Sequence, residues 1–226
     1  MSYRRDRSYP VKTPGPVTRI ATSIALLLLV SSCQNETHAV FSPVPSPSPH
    51  AAPTAAILQS ADVPATVNPC IGSGPLDVYL SVRANSDPAL ASQLSGAWDD
   101  LLSHGARAGA IAVYAGDPSA CNAELGATTT VKSVASLVIQ FDDEGQADRA
   151  WEAGVFGFVP PAPGQLLPGL TRGAGTGLGL SSFTYDRPSV RLACWRHSVY
   201  VALVVVSNFD LSTFRAATAV IDPRLN

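Results

Sequence analysis

Histidine is scarce in this chain, which narrows the metal and acid–base chemistry open to it. Only His104 and His197 fall outside a proline-rich segment, and the sequence has no H-E-x-x-H motif. Because a catalytic zinc site needs several such ligands at short spacing, the sequence predicts no metal ion and no cofactor. We expect His104 to end a helix, where partial positive charge suits the helix dipole, and His197 to lie solvated in a hairpin turn.

The chain begins with an apolar run that is too short to cross a membrane. The run Ile20–Val30 has eleven residues and is interrupted by Thr22 and Ser23, whereas a spanning helix needs ~20. Five basic residues and one acidic residue precede this run, which is the arrangement of a secretory signal peptide. An uncleaved anchor or an ordinary secretory signal is the alternative interpretation.

The residues that close this run, Val30-Ser31-Ser32-Cys33, resemble the lipobox of bacterial lipoproteins. The resemblance implies that a diacylglycerol is attached to the Cys33 thiol and that residues 1–32 are removed as a signal peptide. It implies a protein held by lipid at the extracytoplasmic face of the cell membrane, or at an outer membrane in a cell that has one. The lipid bilayer is then the first expected partner.

Residues 33–54 are predicted to form a disordered tether. Proline recurs at five positions between residues 43 and 53, and such a run favours extended polyproline II because proline fixes φ and donates no backbone hydrogen bond. At ~3.1 Å per residue, the tether would hold a domain tens of Å from the membrane. The alternative is a docking motif for a proline-binding partner.

The charge balance argues against nucleic acid as a partner. The whole chain has 15 basic and 17 acidic residues, and the leader 1–32 holds five of the basic and one of the acidic residues, so the remainder carries a formal charge of −6. A negatively charged domain repels the phosphate backbone.

The pattern of residues 55–226 predicts a single α+β domain. Asp87, Asp143 and Asp210 are typical N-caps, and each precedes apolar residues at helical spacing. Apolar segments rich in β-branched residues lie between these helices. We predict a mostly antiparallel sheet of about five strands, with helices packed on one face.

Three cysteines remain beyond Cys33, and in an oxidising compartment two of them are expected to pair. Cys70 and Cys121 both flank turn residues, whereas Cys194 lies on the apolar face of a predicted strand. The favoured disulfide is Cys70–Cys121, with Cys194 buried and free, although the spacing alone does not fix the pairing.

The segment VASLVIQFDDEGQADRAWEAG, the later PGL and GLG, a strand hairpin and a terminal helix resemble the exported sensor-like domains of bacterial lipoproteins. The resemblance covers roughly residues 55–226 and lies in apolar pattern and glycine placement. It implies a non-catalytic extracytoplasmic module. Those relatives often have an acidic pair after GLG, and Leu180-Ser181 stands there in this chain.

Two further motifs have structural interpretations. Glycine alternates through residues 173–179, but this spacing differs from that of phosphate-binding loops and a strand follows, so a flexible connection is predicted, with an anion site as the alternative. Asp142, Asp143 and Glu144 are consecutive at a helix start, where they complement the dipole; calcium binding is the alternative.

A long loop after the second predicted helix, within residues 155–179, supplies the candidate ligand or partner surface together with the open sheet face. Its apolar residues are Phe156, Phe158, Leu166, Leu167 and Leu170. Long loops are often functional, and apolar side chains on them rim a pocket or dock a partner. The alternative is that they fold back and cover the core.

The sequence therefore favours a membrane-anchored lipoprotein whose domain binds a hydrophobic small molecule or an envelope protein without catalysis. Two alternatives stay open. One is a cell-envelope hydrolase in which His104 or His197 meets a serine and a carboxylate in space. The other is a structural envelope protein with no pocket.

Overall fold

Eight strands form one antiparallel sheet in residues 50–165 and 167–226, the part of the chain that the computed structural model describes. The strands are β1 (Asn68–Pro69), β2 (Gly74–Pro75), β3 (Ala106–Ala115), β4 (Ser133–Phe141), β5 (Leu170–Arg172), β6 (Ser182–Asp186), β7 (Val190–His197) and β8 (Tyr200–Ser207). Their order across the sheet is β1-β3-β4-β8-β7-β6-β5, and β2 pairs with β3 beside β1. The described residues belong to one compact unit.

The two central strands, β4 and β8, are buried on both faces. They pair antiparallel, with Ser133 opposite Ser207 and Gln140 opposite Tyr200. Every residue of β8 is buried, and only Gln140 of β4 is partly exposed. Strands with such continuous burial need cover on both sides of the sheet.

Five α-helices provide much of this cover: α1 (Pro53–Ala56), α2 (Leu76–Ser86), α3 (Pro88–Ser103), α4 (Glu144–Ala153) and α5 (Leu211–Ile221). The last three begin at the aspartate caps that the sequence predicts. The side chains of Asp87, Asp143 and Asp210 accept hydrogen bonds from backbone N–H groups three residues on, at 3.0, 2.8 and 2.9 Å. At Asp210, hydrogen bonds from Thr213 and Ser212 lower the pKa of the carboxyl to about 2.

Helices α2, α3 and α4 pack on the first face of the sheet. The buried residues of α4 are Ala147, Ala150 and Trp151, and those of α3 include Leu94 and Leu101. These side chains meet alternate residues of the strands, among them Ile111, Val113, Ala135, Leu137, Ile139, Leu203 and Val205.

Helix α5 and the N-terminal segment, residues 51–63, pack on the second face. The buried side of α5 consists of Phe214, Ala217, Thr218 and Ile221, as its spacing predicts. The strand residues beneath are the other alternating set, which includes Ala112, Tyr114, Val134, Val138, Trp195, Val204 and Val206.

The α+β class and the mostly antiparallel sheet are confirmed, but two details of the prediction are wrong. The sheet has eight strands rather than about five, because β1, β2 and β5 are only two or three residues long, too short for a strand pattern to be recognised in the sequence. Helices lie on both faces rather than one, because the central strands are apolar on both sides. The sequence analysis also missed α2.

The N-terminal segment joins the fold before the predicted domain start at Ala55. The Tyr200 hydroxyl donates to the Ala51 carbonyl at 2.6 Å, and Pro53 is buried. Residues 51–54, which fall inside the range predicted as a disordered tether, therefore pack against the sheet. Residues 33–49 of that tether, the lipobox and Cys33 lie outside the described residues.

Two strand side chains hold the backbone of Leu58 against the second face. The Leu58 N–H donates to Ser136 Oγ at 2.9 Å, and the Tyr114 hydroxyl donates to the Leu58 carbonyl at 3.1 Å. All of these atoms are buried. The sheet thus satisfies both polar groups of a peptide that would otherwise be buried without partners.

An ion pair, the Asp62–Arg224 clasp, joins the N-terminal segment to the residues after α5. Arg224 donates from Nη1 to Asp62 Oδ2 at 2.8 Å and from Nη2 to Oδ1 at 3.0 Å. Arg224 Nη1 also lies 3.2 Å from the Ile57 carbonyl oxygen. The Asp62 side chain is 12% exposed. The guanidinium holds the pKa of this carboxyl below its ordinary value, and paired charged hydrogen bonds are among the strong ones in proteins.

A disulfide joins Cys70 to Cys121, whose Cα atoms are 5.6 Å apart. It ties the turn between β1 and β2 to a short 3₁₀ helix, Pro118–Asn122, that follows β3. This is the pairing favoured from the sequence. Cys194 is free and buried, also as expected.

The Asp62–Arg224 clasp predicts a specific acid sensitivity. Because the folded-state pKa of Asp62 is lowered, the pair adds stability above the ordinary value of 3.8 and loses it as the pH falls through the folded-state pKa. We expect Asp62→Asn to lower the free energy of unfolding by about 1–2 kcal/mol at about pH 7 and to have a smaller effect at about pH 3. Denaturant titrations at both pH values measure this. Asp99→Asn, at an exposed residue of α3, is the matched control, and an equal effect of Asp62→Asn at both pH values would contradict the assignment.

Candidate functional site

The loop after α4 turns back on itself within four residues. The Val155 N–H donates to the Phe158 carbonyl at 3.3 Å, and the Phe158 N–H donates to the Val155 carbonyl at 2.9 Å. Inside this turn Phe156 has φ +49°, a region that residues other than glycine rarely adopt. The Phe156 ring is buried against the first-face core and Phe158 is partly buried, so aromatic packing accompanies the strained turn.

The far end of the same loop is held close to β6 at a glycine. Gly169 has φ +81°, and a Cβ added there would lie 2.2 Å from the Asp186 carbonyl oxygen. The Asp186 N–H donates to the Gly169 carbonyl at 2.8 Å. Only glycine fits this close approach of two backbones, and it places Leu170 at the start of β5.

Arg172 fastens the middle of the loop to α4. Its guanidinium lies 5.3 Å from the Trp151 ring, donates to the Pro161 carbonyl and is 3.5 Å from Glu152 Oε1. The loop is therefore held at its two ends and at its middle, although it contains little regular structure.

These attachments leave a concavity between the loop and the sheet, which we call the loop groove. Its volume is about 430 Å³, within the range of small-molecule sites. The loop contributes Phe158, Val159, Leu167 and Leu170, and strands β6 and β7 contribute Phe183, Tyr185 and Leu192. The groove lies at the β5–β6–β7 end of the sheet.

The loop groove is apolar and carries no charged side chain on its lining. Polar side-chain atoms come from Gln165 and Tyr185. Gln165 Oε1 accepts a hydrogen bond from the Ala162 N–H at 3.1 Å, which leaves its amide N–H groups to donate. Such a site suits an uncharged apolar molecule that has a single hydrogen-bond acceptor.

Three of the five residues predicted as a binding surface come together here. Phe158, Leu167 and Leu170 line the loop groove, and Leu167 is 47% exposed. Phe156 is 7% exposed and covers the core, which was the alternative for these residues; Leu166 lies outside the described residues. Phe158 also borders a second concavity of about 330 Å³, which Phe156 and Leu94 help to line.

The sequence analysis missed the sheet half of the groove. Phe183 and Tyr185 alternate in SFTYD and face the same side as Leu192 on the neighbouring strand. Sequence periodicity does not show which strand face lies beside the loop, whereas the sheet order does.

Among the residues that the structure describes, neither His104 nor His197 meets a serine and a carboxylate in triad geometry. His104 is an exposed residue at the end of α3, and its Nδ1 lies near Ser103 Oγ, Asp100 Oδ1 and the Asp100 carbonyl. A triad needs the serine and the carboxylate on opposite ring nitrogens, and here both face the same one.

His197 differs from its prediction, because it is not simply solvated. Its Nδ1 lies 3.1 Å from Asp222 Oδ1 and its Nε2 lies 3.1 Å from Asn226 Oδ1. Asp222 Oδ1 also accepts from Trp195 Nε1 at 2.9 Å. The imidazole therefore joins the β7–β8 hairpin to the segment after α5, and both its ring nitrogens are occupied.

The glycine-rich stretch folds as a short 3₁₀ helix, Gly173–Thr176, followed by a turn. Ser182 Oγ lies within hydrogen-bond distance of the Gly173 and Gly179 carbonyls, and Thr176 Oγ1 is 2.6 Å away. The connection predicted as flexible is thus ordered by hydroxyl groups.

The three consecutive acidic residues each bind a different partner. Asp143 caps α4, Asp142 pairs with Arg107, and Glu144 accepts a hydrogen bond from Ser198 Oγ at 3.3 Å. Within residues 50–165 and 167–226, no group of three His, Cys, Asp or Glu side chains is placed to hold a metal ion.

The free thiol is far from nucleophilic. Cys194 is fully buried on the first face, and desolvation raises the pKa of its thiol to about 12. A thiol reacts as the thiolate, which is negligible at neutral pH for such a group.

Alkylation should therefore distinguish the three cysteines of the domain. With iodoacetamide at about pH 8, we expect Cys194 to be modified only after unfolding in denaturant, because both burial and the raised pKa protect it. Cys70 and Cys121 should be modified only when a reductant is also present. Peptide mapping by mass spectrometry reads out each site, and labelling of Cys70 before reduction would refute the disulfide.

In the part of the chain that the structure describes, the longest helices are too short and too polar to span a bilayer. Comparison of the chain with family models, with curated proteins and with solved structures finds no match.

Proposed function

We propose that this protein is a lipoprotein, tethered through Cys33 to the extracytoplasmic face of a membrane, whose domain binds an uncharged hydrophobic small molecule. The loop groove is the observation that carries the binding part of the proposal. It is concave, apolar and open, and three residues singled out from the sequence lie on its wall.

Two independent features support the location. The lipobox-like Val30-Ser31-Ser32-Cys33 follows a basic n-region and a short apolar run, which is the order that a lipoprotein signal requires. The domain pairs Cys70 with Cys121, and disulfides persist mainly in oxidising compartments outside the cytoplasm.

The lining of the loop groove supports an uncharged ligand over a charged one. An ionised group placed there would lose hydration without meeting an opposite charge on the lining, which is unfavourable. An apolar chain or ring would instead bury surface against Phe158, Phe183 and Leu192, and Gln165 would orient a single acceptor. A structural protein would not need such a concavity, so the loop groove favours the binding hypothesis over the structural one.

The anchor is tested by the state of Cys33. We expect the mature protein to begin with a diacylglycerol-modified Cys33, and Cys33→Ser to carry no lipid and to escape cleavage before residue 33. Mass spectrometry of the N-terminal peptide and membrane fractionation measure both. Ser31→Ala, which keeps a small residue, is the matched control and should be processed like the wild type; normal processing of Cys33→Ser would refute the anchor.

The ligand class is tested with a long-chain alcohol that carries a photoreactive diazirine at its chain end. We expect irradiation of membranes holding the full chain to label peptides that contain Phe158, Leu167 or Leu170. Leu167→Gln should reduce this labelling about five-fold, because it removes about 1 kcal/mol of apolar contact.

Leu180→Gln is the matched control, since Leu180 is 80% exposed and lies outside the groove. It should label like the wild type. Labelling that spreads evenly over the surface, or that both substitutions reduce alike, would refute the groove as the site. Cross-links to a second protein would favour an envelope-protein partner instead.

A further inference from the structure

Another concavity lies at the opposite edge of the sheet from the loop groove, beside the disulfide, and we call it the disulfide groove. Its volume is about 360 Å³. Residues from β1, the end of β3, α2 and the 3₁₀ helix Pro118–Asn122 surround it. Its walls are largely apolar, with Cys70, Cys121, Ile71, Val82, Ala115 and Pro118 among them. Ile71 stands at this groove with 81% of its surface exposed.

Arg83 lines this groove and is the one buried arginine among the described residues, at 3% exposure. Its guanidinium donates from Nη1 to Asn122 Oδ1 at 2.8 Å. It also lies beside the Tyr79 hydroxyl: burial raises the pKa of that hydroxyl, and the neighbouring guanidinium opposes the rise. Its Nε is buried without a partner, and its Cζ lies 5.0 Å from the Tyr79 ring centroid.

No carboxylate within residues 50–165 and 167–226 approaches Arg83 closely enough to form an ion pair. Five other arginines each pair with one within 4.0 Å: Arg107, Arg172, Arg191, Arg196 and Arg224. Three other described arginines lack such a pair, namely Arg149, Arg187 and Arg215, and all three are exposed to water. Arg83 thus combines burial with the absence of a counter-ion.

A buried charge without a counter-ion is costly, and proteins rarely keep one. The C-terminal end of α2 supplies roughly half an elementary negative charge, and the Asn122 amide is neutral. Neither compensates the guanidinium fully. An anion bound in the disulfide groove, beside Arg83, would supply the missing negative charge.

We propose that the disulfide groove binds an organic anion with an apolar body, of the size and kind of a medium-chain fatty carboxylate, with Arg83 as its counter-ion. The planar guanidinium suits the two oxygens of a carboxylate. The apolar wall, Ile71 and Val82 included, suits an acyl chain. The disulfide groove lies at the other sheet edge from the loop groove. It would bind an anion, whereas the loop groove would bind an uncharged molecule, so this proposal goes beyond the proposed function.

The test compares two photoreactive probes of equal chain length in membranes that hold the full protein. One is decanoic acid with a diazirine at the chain end, and the other is the corresponding alcohol. We expect the acid to label peptides containing Ile71 or Val82 about ten-fold more than the alcohol does, because a charged hydrogen-bonded pair forms only with the acid. Labelling of each groove is quantified separately against the total amount of protein, so failure of one site does not imply failure of the other.

Arg83→Gln should reduce labelling of the disulfide groove by the acid about ten-fold and leave alcohol labelling of the loop groove unchanged. Arg149→Gln, at an exposed arginine of α4, is the matched control and should change neither. An intact Cys70–Cys121 disulfide and an unchanged thermal transition show that the Arg83 variant is folded.

Competition on the wild type tests the proposal without any variant. Unlabelled decanoate should displace the acid probe from the disulfide groove, and decanol should not. Each methylene removed from the competitor should weaken it about three-fold, as the chain buries less apolar surface. Equal labelling by acid and alcohol, equal displacement by decanoate and decanol, or acid labelling confined to the loop groove would each overturn the proposal.

Discussion

The two-sided burial of β4 and β8 is the constraint on which the rest of this structure depends. A strand pair that is apolar on both faces must be covered on both faces. The structural elements that cover the two faces differ. Helices α2, α3 and α4 lie on the first face, whereas α5 and the N-terminal segment, with its single-turn helix α1, lie on the second. The helices cover the middle of the sheet. Near the edges of the sheet, loops and the disulfide-bonded segment pack beside the strands, and both grooves lie there.

The parts of the fold that follow from local chemistry were predictable from the sequence. The starts of three helices were predictable at Asp87, Asp143 and Asp210, because a capping carboxylate and the helical spacing of apolar residues act within a few residues of each other. The Cys70–Cys121 pair followed from turn residues on both sides. Helix α2 was missed because the stripe Leu76, Tyr79, Leu80 continues at Arg83 instead of an apolar residue. That exception to the pattern is also the buried cation of the disulfide groove.

The site was predictable only in its loop half. Phe158, Leu167 and Leu170 stand out as apolar residues in a long loop, but Phe156 looks the same in sequence and is core. The strand half, Phe183, Tyr185 and Leu192, is visible only when the sheet order places β6 and β7 beside the loop. Side-chain burial on one face depends on what packs there from distant sequence, and periodicity does not contain that information.

The Asp62–Arg224 clasp joins two positions that are 162 residues apart in the chain. A contact of such long range costs loop-closure entropy, which the rest of the fold must already have offset. Leu225, next to Arg224, is buried in the same core as Trp195, Val204 and Val206. Removal of residues 222–226 would therefore open this apolar face to other chains as well as break the ion pair.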